Sequence, residues 1–417
     1  MEKLIIRGGR PLSGGLAIKS AKNSVLPIIA CCIMSKEDIL IRNCPKITDV
    51  DNMLNIIESI GGETKWRGAD IYINCRYANP RLVDANLTSG IRSSIFILGP
   101  ILSRFRYAQI SYPGGCDIGL RPIDLHIMGF RRLNVRVEEN NGMLLCDGEG
   151  LRGGIVNLDF PSVGATENLM MAGVLAGGKT VIRNAAREPE IVDLQNFINY
   201  LGGQAHGAGT DTIVVTGTKK LSGGEYSPVC DRIVAGTYLA AAAMCTGDVT
   251  LKNVRPHTVY SVIEKLARAG CELYETHNSV RLIAKNRPKA VPKIETQPFP
   301  GFPTDMQAQI TAMLSVADGS SMIVENLFEN RFRYTMQLAK MGADITVKDR
   351  VVLVKGVKAL RPAATTAEDL RGGAALVSAA LCADGVSEIL GIHHIDRGYE
   401  SIESDLSRLN ADIRRAR

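Results

Sequence analysis

Along the chain, stretches with apolar residues at every third or fourth position alternate with shorter stretches where they fall at every second position. Six times the change from one to the other is marked by a glycine or an asparagine. The six segments are IIESIGGET around Gly61, FRRLNVRV around Asn134, FINYLGGQA around Gly202, EKLARAGCEL around Gly270, QLAKMGADI around Gly342 and LSRLNADI around Asn410. Successive markers are 73, 68, 68, 72 and 68 residues apart. A period of about 70 residues predicts six copies of one supersecondary unit.

The order within a copy is also constant. In one of them TDMQAQITAMLSVADG is apolar on nearly every side and reads as a buried helix, and SSMIVENL reads as a short strand. A loop, FENRFR, leads into RYTMQLAKMG with apolar residues at helical spacing, and ADITVKD and RVVLVKG follow as two strands joined by a tight turn. Each unit is therefore expected to be helix, strand, loop, helix, hairpin.

A helix that is apolar all round needs protein on every side. Three units are thus expected to hold three helices inside, with sheets and amphipathic helices outside. The fold class is α/β, two lobes of three units. The N-terminal lobe is placed at residues 21–229, and the C-terminal lobe at residues 230–417 completed by residues 1–20, with MEKLIIRGG as a strand. A cleft between lobes is the expected place for a ligand.

Composition narrows the function. The 417 residues are 45% hydrophobic, yet no apolar run approaches the length of a bilayer span, and the start MEKLIIRGGR lacks the apolar core of a signal peptide. The expectation is a cytoplasmic protein without membrane partners. The 49 basic against 43 acidic residues leave a mild positive excess, and with one Trp and no arginine-aromatic interleaving, nucleic acid is not an expected partner. The ten cysteines form no Cys-x-x-Cys pair and do not cluster with the six histidines, so neither disulfides nor a metal site is expected. His393 and His394 lack a carboxylate cluster at ligand spacing, His394 reads as a neighbour of Arg397, and His126 reads as structural. No GxGxxG or GxxxxGK[ST] appears, and no cofactor is implied.

Polar residues that interrupt the buried helices all fall at their N-termini. They are Lys22 and Asn23, Arg92, Ser162 to Thr166, Asp231 and Arg232, Asp305, and Asp369 with Arg371. Capping accounts for Ser, Thr and Asp there. It does not account for Lys22, Arg92, Arg232 or Arg371, since a cation at that end is unfavourable until an anion arrives. Phosphate or carboxylate ligands are expected. A second set lies in the loops between strand and amphipathic helix: SYPGGCDIGLRP with Cys116, FENRFR with Arg331, and HHIDRGYE with Arg397. A glycine-rich surface loop can close over a ligand and leaves its thiol reachable. Arg121 favours the thiolate and Asp117 opposes it.

PGGCDIGLRPIDLH, SAKN, SVGATEN, NAAREPEIVDL, GFPTDMQAQ, FENRFRY, DLRGGAALV and HIDRGYE together resemble the UDP-N-acetylglucosamine 1-carboxyvinyltransferase family over essentially the whole chain. The resemblance implies two inside-out α/β barrels of three repeats each. It also implies transfer of the enolpyruvyl group of phosphoenolpyruvate to the 3'-hydroxyl of UDP-N-acetylglucosamine through a tetrahedral ketal, with release of phosphate, at the start of peptidoglycan synthesis. By that match Cys116 is the general acid and the point of alkylation by fosfomycin, and Asp305 stands at the 3'-hydroxyl. Lys22, Arg121 and Arg397 surround the phosphate, Asn23 lies beside phosphoenolpyruvate, and Arg331 and Arg371 join the cationic set. Arg92, the run Arg121, Pro122, Ile123, Asp124 and Leu125, then Ser162, Val163, Gly164, Asp305 and Leu327 are implied for the sugar nucleotide. Phe160 departs from the pattern of some relatives, which carry a lysine there, and Asp117 beside the thiol is a second position that bears on the loop's reactivity. The competing readings are the sister transferase acting on shikimate 3-phosphate, which lacks the PGGC loop, and a non-catalytic paralogue that binds UDP-sugars.

Overall fold

The computed structural model describes residues 2–80, 87, 92–112, 114 and 123–417. The chain divides into two compact units, one running from Ser20 to Val229 and one made of residues 2–19 with Cys230–Arg417. Among the described residues each unit has three sheets: five of the six sheets have four strands and the sixth has three. No helix among these residues is long and apolar enough to cross a membrane.

In the later unit the helices Arg232–Met244, Gln307–Ser315 and Leu370–Cys382 pack on one another, and nearly every residue in them is buried. In the earlier unit Lys22–Cys31 packs on the short 3-10 helix Arg92–Ile97, and Leu98–Phe105 packs on Val163–Val174. Outer helices bury one stripe only: Pro256–Arg268 buries Thr258, Val259, Val262, Ile263 and Leu266, the spacing of an amphipathic helix on a core.

The six sequence markers all adopt left-handed backbone, with φ of 83° at Gly61, 64° at Asn134, 90° at Gly202, 93° at Gly270, 87° at Gly342 and 69° at Asn410. In each copy the marker's N–H bonds to the carbonyl three residues back, and the next residue's N–H bonds five residues back, as in Asn134 to Arg131 and Val135 to Phe130. This is a Schellman helix end. Only glycine, and less readily asparagine, enters that backbone region cheaply.

Each four-stranded sheet holds one strand more than the expected order provides. Lys293–Glu295 runs parallel to Ser320–Val324, which pairs antiparallel with Val351–Lys355, itself paired with Asp344–Lys348. Ile155–Asn157, Gly224–Tyr226 and Ala364–Thr366 take the same place in their sheets, and Ser13–Ala17 does so beside Asp248–Lys252. Three residues are too few for an alternation to stand out. Lys3–Arg7 lies between Val386–Leu390 and Asp412–Ala416, antiparallel to both.

Helix Val163–Val174 carries polar side chains into the core with opposite outcomes. Asn168 is satisfied: its Nδ2 donates to the Ile95 carbonyl and to His126 Nδ1 at 2.9 Å each, and its Oδ1 accepts from the Gly99 amide at 2.8 Å. Glu167 is fully buried and neither carboxyl oxygen has a hydrogen-bond partner among the described residues. Burial, with Glu190 and Glu188 adding to it, pushes its pKa well up. The folded protein therefore keeps a proton that the unfolded chain releases above about pH 4.3, and stability falls as pH rises from there, by up to about 1.4 kcal/mol per pH unit. Glu167→Gln keeps the shape of the protonated acid and removes the titration. Its melting temperature is expected to match the parent's near pH 5 and to exceed it at pH 8. Melts with the same pH dependence in both proteins would show that Glu167 is ionised in the fold.

Candidate functional site

In the later unit the site is built around Asp305, in the 3-10 turn Thr304–Met306 that leads into helix Gln307–Ser315. Its two oxygens are divided between two arginines. Arg331 Nη2 donates to Oδ1 at 2.7 Å, and Arg371 Nη2 donates to Oδ2 at 3.2 Å. The arginine side chains are 4% and 6% exposed against 27% for Asp305, so the carboxylate is the part that solvent reaches most freely. Burial works against the Arg371 charge, but Asp305, Tyr399 and Asp231 outweigh it and raise its pKa.

Capping explains part of the polar set and not the rest. Asp369 Oδ1 accepts from the Arg371 and Gly372 amides at 2.9 Å each, and Asp231 Oδ1 accepts from the Ile233 and Val234 amides at 2.9 Å each. Arg232 is buried with its guanidinium 5.5 Å from the centre of the Phe299 ring, a protein partner for a cation that the sequence assigned to an anion. Arg397 is half-buried in the turn after the 3-10 helix Ile392–His394. That turn sits close on helix Leu370–Cys382 because Gly373 has no side chain: a Cβ there would lie 2.6 Å from Ile395 Cγ1.

Glu325 escaped the sequence reading and organises the loop around Leu327. Its Oε1 accepts from Thr296 Oγ1 at 2.9 Å, the Leu327 amide at 2.9 Å and the Phe328 amide at 3.2 Å, while Oε2 accepts from Thr304 Oγ1 at 2.9 Å. One buried carboxylate thus ties the Leu327 loop to the turn that carries Asp305. The Leu327 N–H is already used by Glu325.

In the earlier unit Lys22 opens helix Lys22–Cys31 and its Nζ lies 2.6 Å from Asp49 Oδ2, with side-chain exposures of 11% and 3%. Asp49 belongs to the first turn of Thr48–Ser59, and nothing in the local sequence pairs it with Lys22. Asn23 is half-buried beside it, and Arg92 begins the 3-10 helix Arg92–Ile97. Ser162 is the N-cap of Val163–Val174, its Oγ accepting from the Ala165 amide at 3.4 Å, and Val163 and Gly164 form the first turn. A Cβ on Gly164 would lie 3.3 Å from His126 Nε2. His126 is held neutral, its pKa lowered to about 3 by burial and then by the Arg92 charge. Because Asn168 Nδ2 donates to its Nδ1, the ring proton sits on Nε2, on the side of Gly164. Ile123 is buried, while Asp124 is exposed and Leu125 half-buried at the start of Asp124–Arg132. Phe160 is 45% exposed, so no packing role accounts for an aromatic ring there.

The structure thus brings Asp305, Arg331 and Arg371 together in one unit, and in the other sets Arg92, His126, Ser162, Val163 and Gly164 around one helix start. Cys116, Asp117, Arg121 and Pro122 lie outside the described residues. No group of three or more His, Cys, Asp or Glu among the described residues is placed to hold a metal ion.

The family model for EPSP synthase (3-phosphoshikimate 1-carboxyvinyltransferase) matches residues 6–406. UDP-N-acetylglucosamine 1-carboxyvinyltransferase 2 of Caldanaerobacter subterraneus subsp. tengcongensis is 49% identical over 413 residues, covering 99% of each chain. UDP-N-acetylglucosamine 1-carboxyvinyltransferase 1 of Carboxydothermus hydrogenoformans is 44% identical, covering 100% of this chain and 98% of that protein. Among solved structures, the enolpyruvyl transferase NikO of Streptomyces tendae superimposes with a TM-score of 0.88 at 22% identity, covering 100% of this chain and 99% of its own. An EPSP synthase of Acinetobacter baumannii gives 0.74 at 14% identity with full coverage of both chains. The fold is the α/β fold of the enolpyruvyl transferases, and within them the chain belongs to the UDP-N-acetylglucosamine 1-carboxyvinyltransferase family.

Proposed function

We propose that the protein transfers the enolpyruvyl group of phosphoenolpyruvate to the 3'-hydroxyl of UDP-N-acetylglucosamine, releasing phosphate, and so commits the sugar nucleotide to peptidoglycan synthesis. The observation that carries this reading is the full-length likeness, 49% in the relative from Caldanaerobacter, to proteins of that name. Asp305 with its two arginines fits what the chemistry asks for.

In the addition step C3 of phosphoenolpyruvate gains a proton, the 3'-oxygen bonds to C2, and the hydroxyl loses its proton. In the elimination the ketal methyl loses a proton and the C–O bond to phosphate breaks. Each half needs an acid or base in reach, and both need fixed positive charge around the phosphate and carboxylate. Cys116 is the proposed acid and Asp305 the proposed acceptor at the hydroxyl. Lys22, Arg121 and Arg397 are assigned to the phosphate, Asn23 to phosphoenolpyruvate, and Arg331 and Arg371 to its remaining anionic oxygens. Arg92, Pro122, Ile123, Asp124, Leu125, Ser162, Val163, Gly164 and Leu327 are assigned to the sugar nucleotide.

Phosphate release from phosphoenolpyruvate is the test, run with UDP-N-acetylglucosamine and with shikimate 3-phosphate, each with and without fosfomycin. Release with the sugar nucleotide alone, stopped by fosfomycin, is expected. Release with shikimate 3-phosphate would move the chain to the sister reaction, and silence with both acceptors would leave a UDP-sugar-binding protein.

A further inference from the structure

Three buried helices and one turn meet at a hydrogen-bonded relay, and of its members only Arg371 has a candidate role so far. Thr237 Oγ1 donates to the Ile233 carbonyl at 2.8 Å and lies 2.8 Å from Tyr399 Oη. Gln309 Nε2 reaches Thr237 Oγ1 at 3.0 Å and Tyr399 Oη at 3.4 Å. Arg371 Nη1 reaches Tyr399 Oη at 3.5 Å. Thr237, Gln309 and Tyr399 are at most 1% exposed, and Arg371 is 5% exposed, so water does not substitute freely for any partner.

The hydrogens decide the direction of this relay. A hydroxyl has one proton to give, and the Ile233 carbonyl can only accept. If Thr237 gives its proton to that carbonyl, Tyr399 gives its own to Thr237, and both hydroxyls are satisfied. With Gln309 Nε2 facing both hydroxyls, the reverse assignment leaves the phenol proton without an acceptor among the described residues. Burial raises the Tyr399 pKa, so the phenol keeps its proton. The phenol oxygen therefore presents its lone pairs to Arg371 Nη1.

We propose that Tyr399 is a positioning residue for the carboxylate of Asp305. It holds one amino group of Arg371 on a neutral acceptor while the other rests on Asp305 Oδ2. Without it, the buried guanidinium would turn both amino groups onto the carboxylate in the bidentate arrangement that such pairs favour. Asp305 would then be a poorer acceptor for the 3'-hydroxyl proton. This rests on the reading of Asp305 given above.

The experiment is steady-state kinetics on Tyr399→Phe, Thr237→Val and Thr237→Ser, with thermal melts, and a crystal structure of Tyr399→Phe. The Phe and Val variants are expected to lose about tenfold in kcat, the scale of one hydrogen bond to a charged group, with the KM for UDP-N-acetylglucosamine unchanged within about twofold. Thr237→Ser, which keeps the hydroxyl, is expected to stay within about twofold of the parent. Arg371 should be bidentate on Asp305 in the Tyr399→Phe crystal. Parent-like kcat in both the Phe and Val variants, a shared loss in the Ser variant, or an Arg371 that keeps its place in the crystal overturns the proposal. A parent protein that turns over neither acceptor sinks the functional reading instead, and the crystal still decides what Tyr399 does.

Discussion

Asp305→Asn is expected to lower kcat by about three orders of magnitude, within the 10²–10⁴ range for loss of a positioned acid or base. The carboxylate meets N–H donors at both oxygens, Arg331 at 2.7 Å and Arg371 at 3.2 Å. An amide can accept at only one of its two heavy atoms, so its NH₂ group is set against a guanidinium. The two arginines, nearly buried, then lose their shared counter-charge. A lower melting temperature is expected alongside the kinetic loss. Calorimetry with UDP-N-acetylglucosamine separates the two effects, since a variant that still binds the sugar nucleotide yet does not turn over has lost the chemistry and not the fold. A kcat within tenfold of the parent would remove Asp305 as the proton acceptor.

Cys116→Ala is expected to abolish measurable turnover, and Cys116→Asp to restore part of it. Alanine has no proton to give. A carboxyl does, but with an ordinary pKa near 3.9 it is mostly ionised at neutral pH, so the Asp variant should work best at lower pH than the parent. A carboxylate is also a weak nucleophile toward an epoxide, so the Asp variant should turn over in fosfomycin concentrations that silence the parent. Rates across pH 5 to 8 with and without fosfomycin check both points. An active Ala variant, or an Asp variant as sensitive as the parent, would take the acid and nucleophile roles away from this thiol.

The six-fold organisation was readable because each copy ends its outer helix in a left-handed residue, and that backbone admits little besides glycine and asparagine. Gly61, Asn134, Gly202, Gly270, Gly342 and Asn410 therefore carried a conformational requirement directly in their identities. The buried helices were readable for a similar reason, as an all-apolar helix leaves a lone cation at its start conspicuous. Charge partners were not. Lys22 meets Asp49 from a neighbouring helix, and Arg331 and Arg371 meet Asp305 across 26 and 66 residues of sequence. Glu325 and Tyr399 were hidden in the opposite way: they lie just past an otherwise ordinary strand and turn, and only the donors converging on them reveal their work. The three-residue strands were missed because two-fold alternation needs more length to be seen.

The strand Lys3–Arg7 sets an order for folding during synthesis. Among the described residues the unit from Ser20 to Val229 finds every strand of its sheets within its own stretch, Gly224–Tyr226 near its end pairing with Ile39–Ile41. It can close as soon as that stretch has left the ribosome. Lys3–Arg7 is made before that whole unit, yet both its neighbours, Val386–Leu390 and Asp412–Ala416, are made after it. At about 5–20 residues per second, the opening strand stays without its partners for tens of seconds. An apolar segment kept waiting that long, with both edges unpaired, is where a chaperone has most to protect.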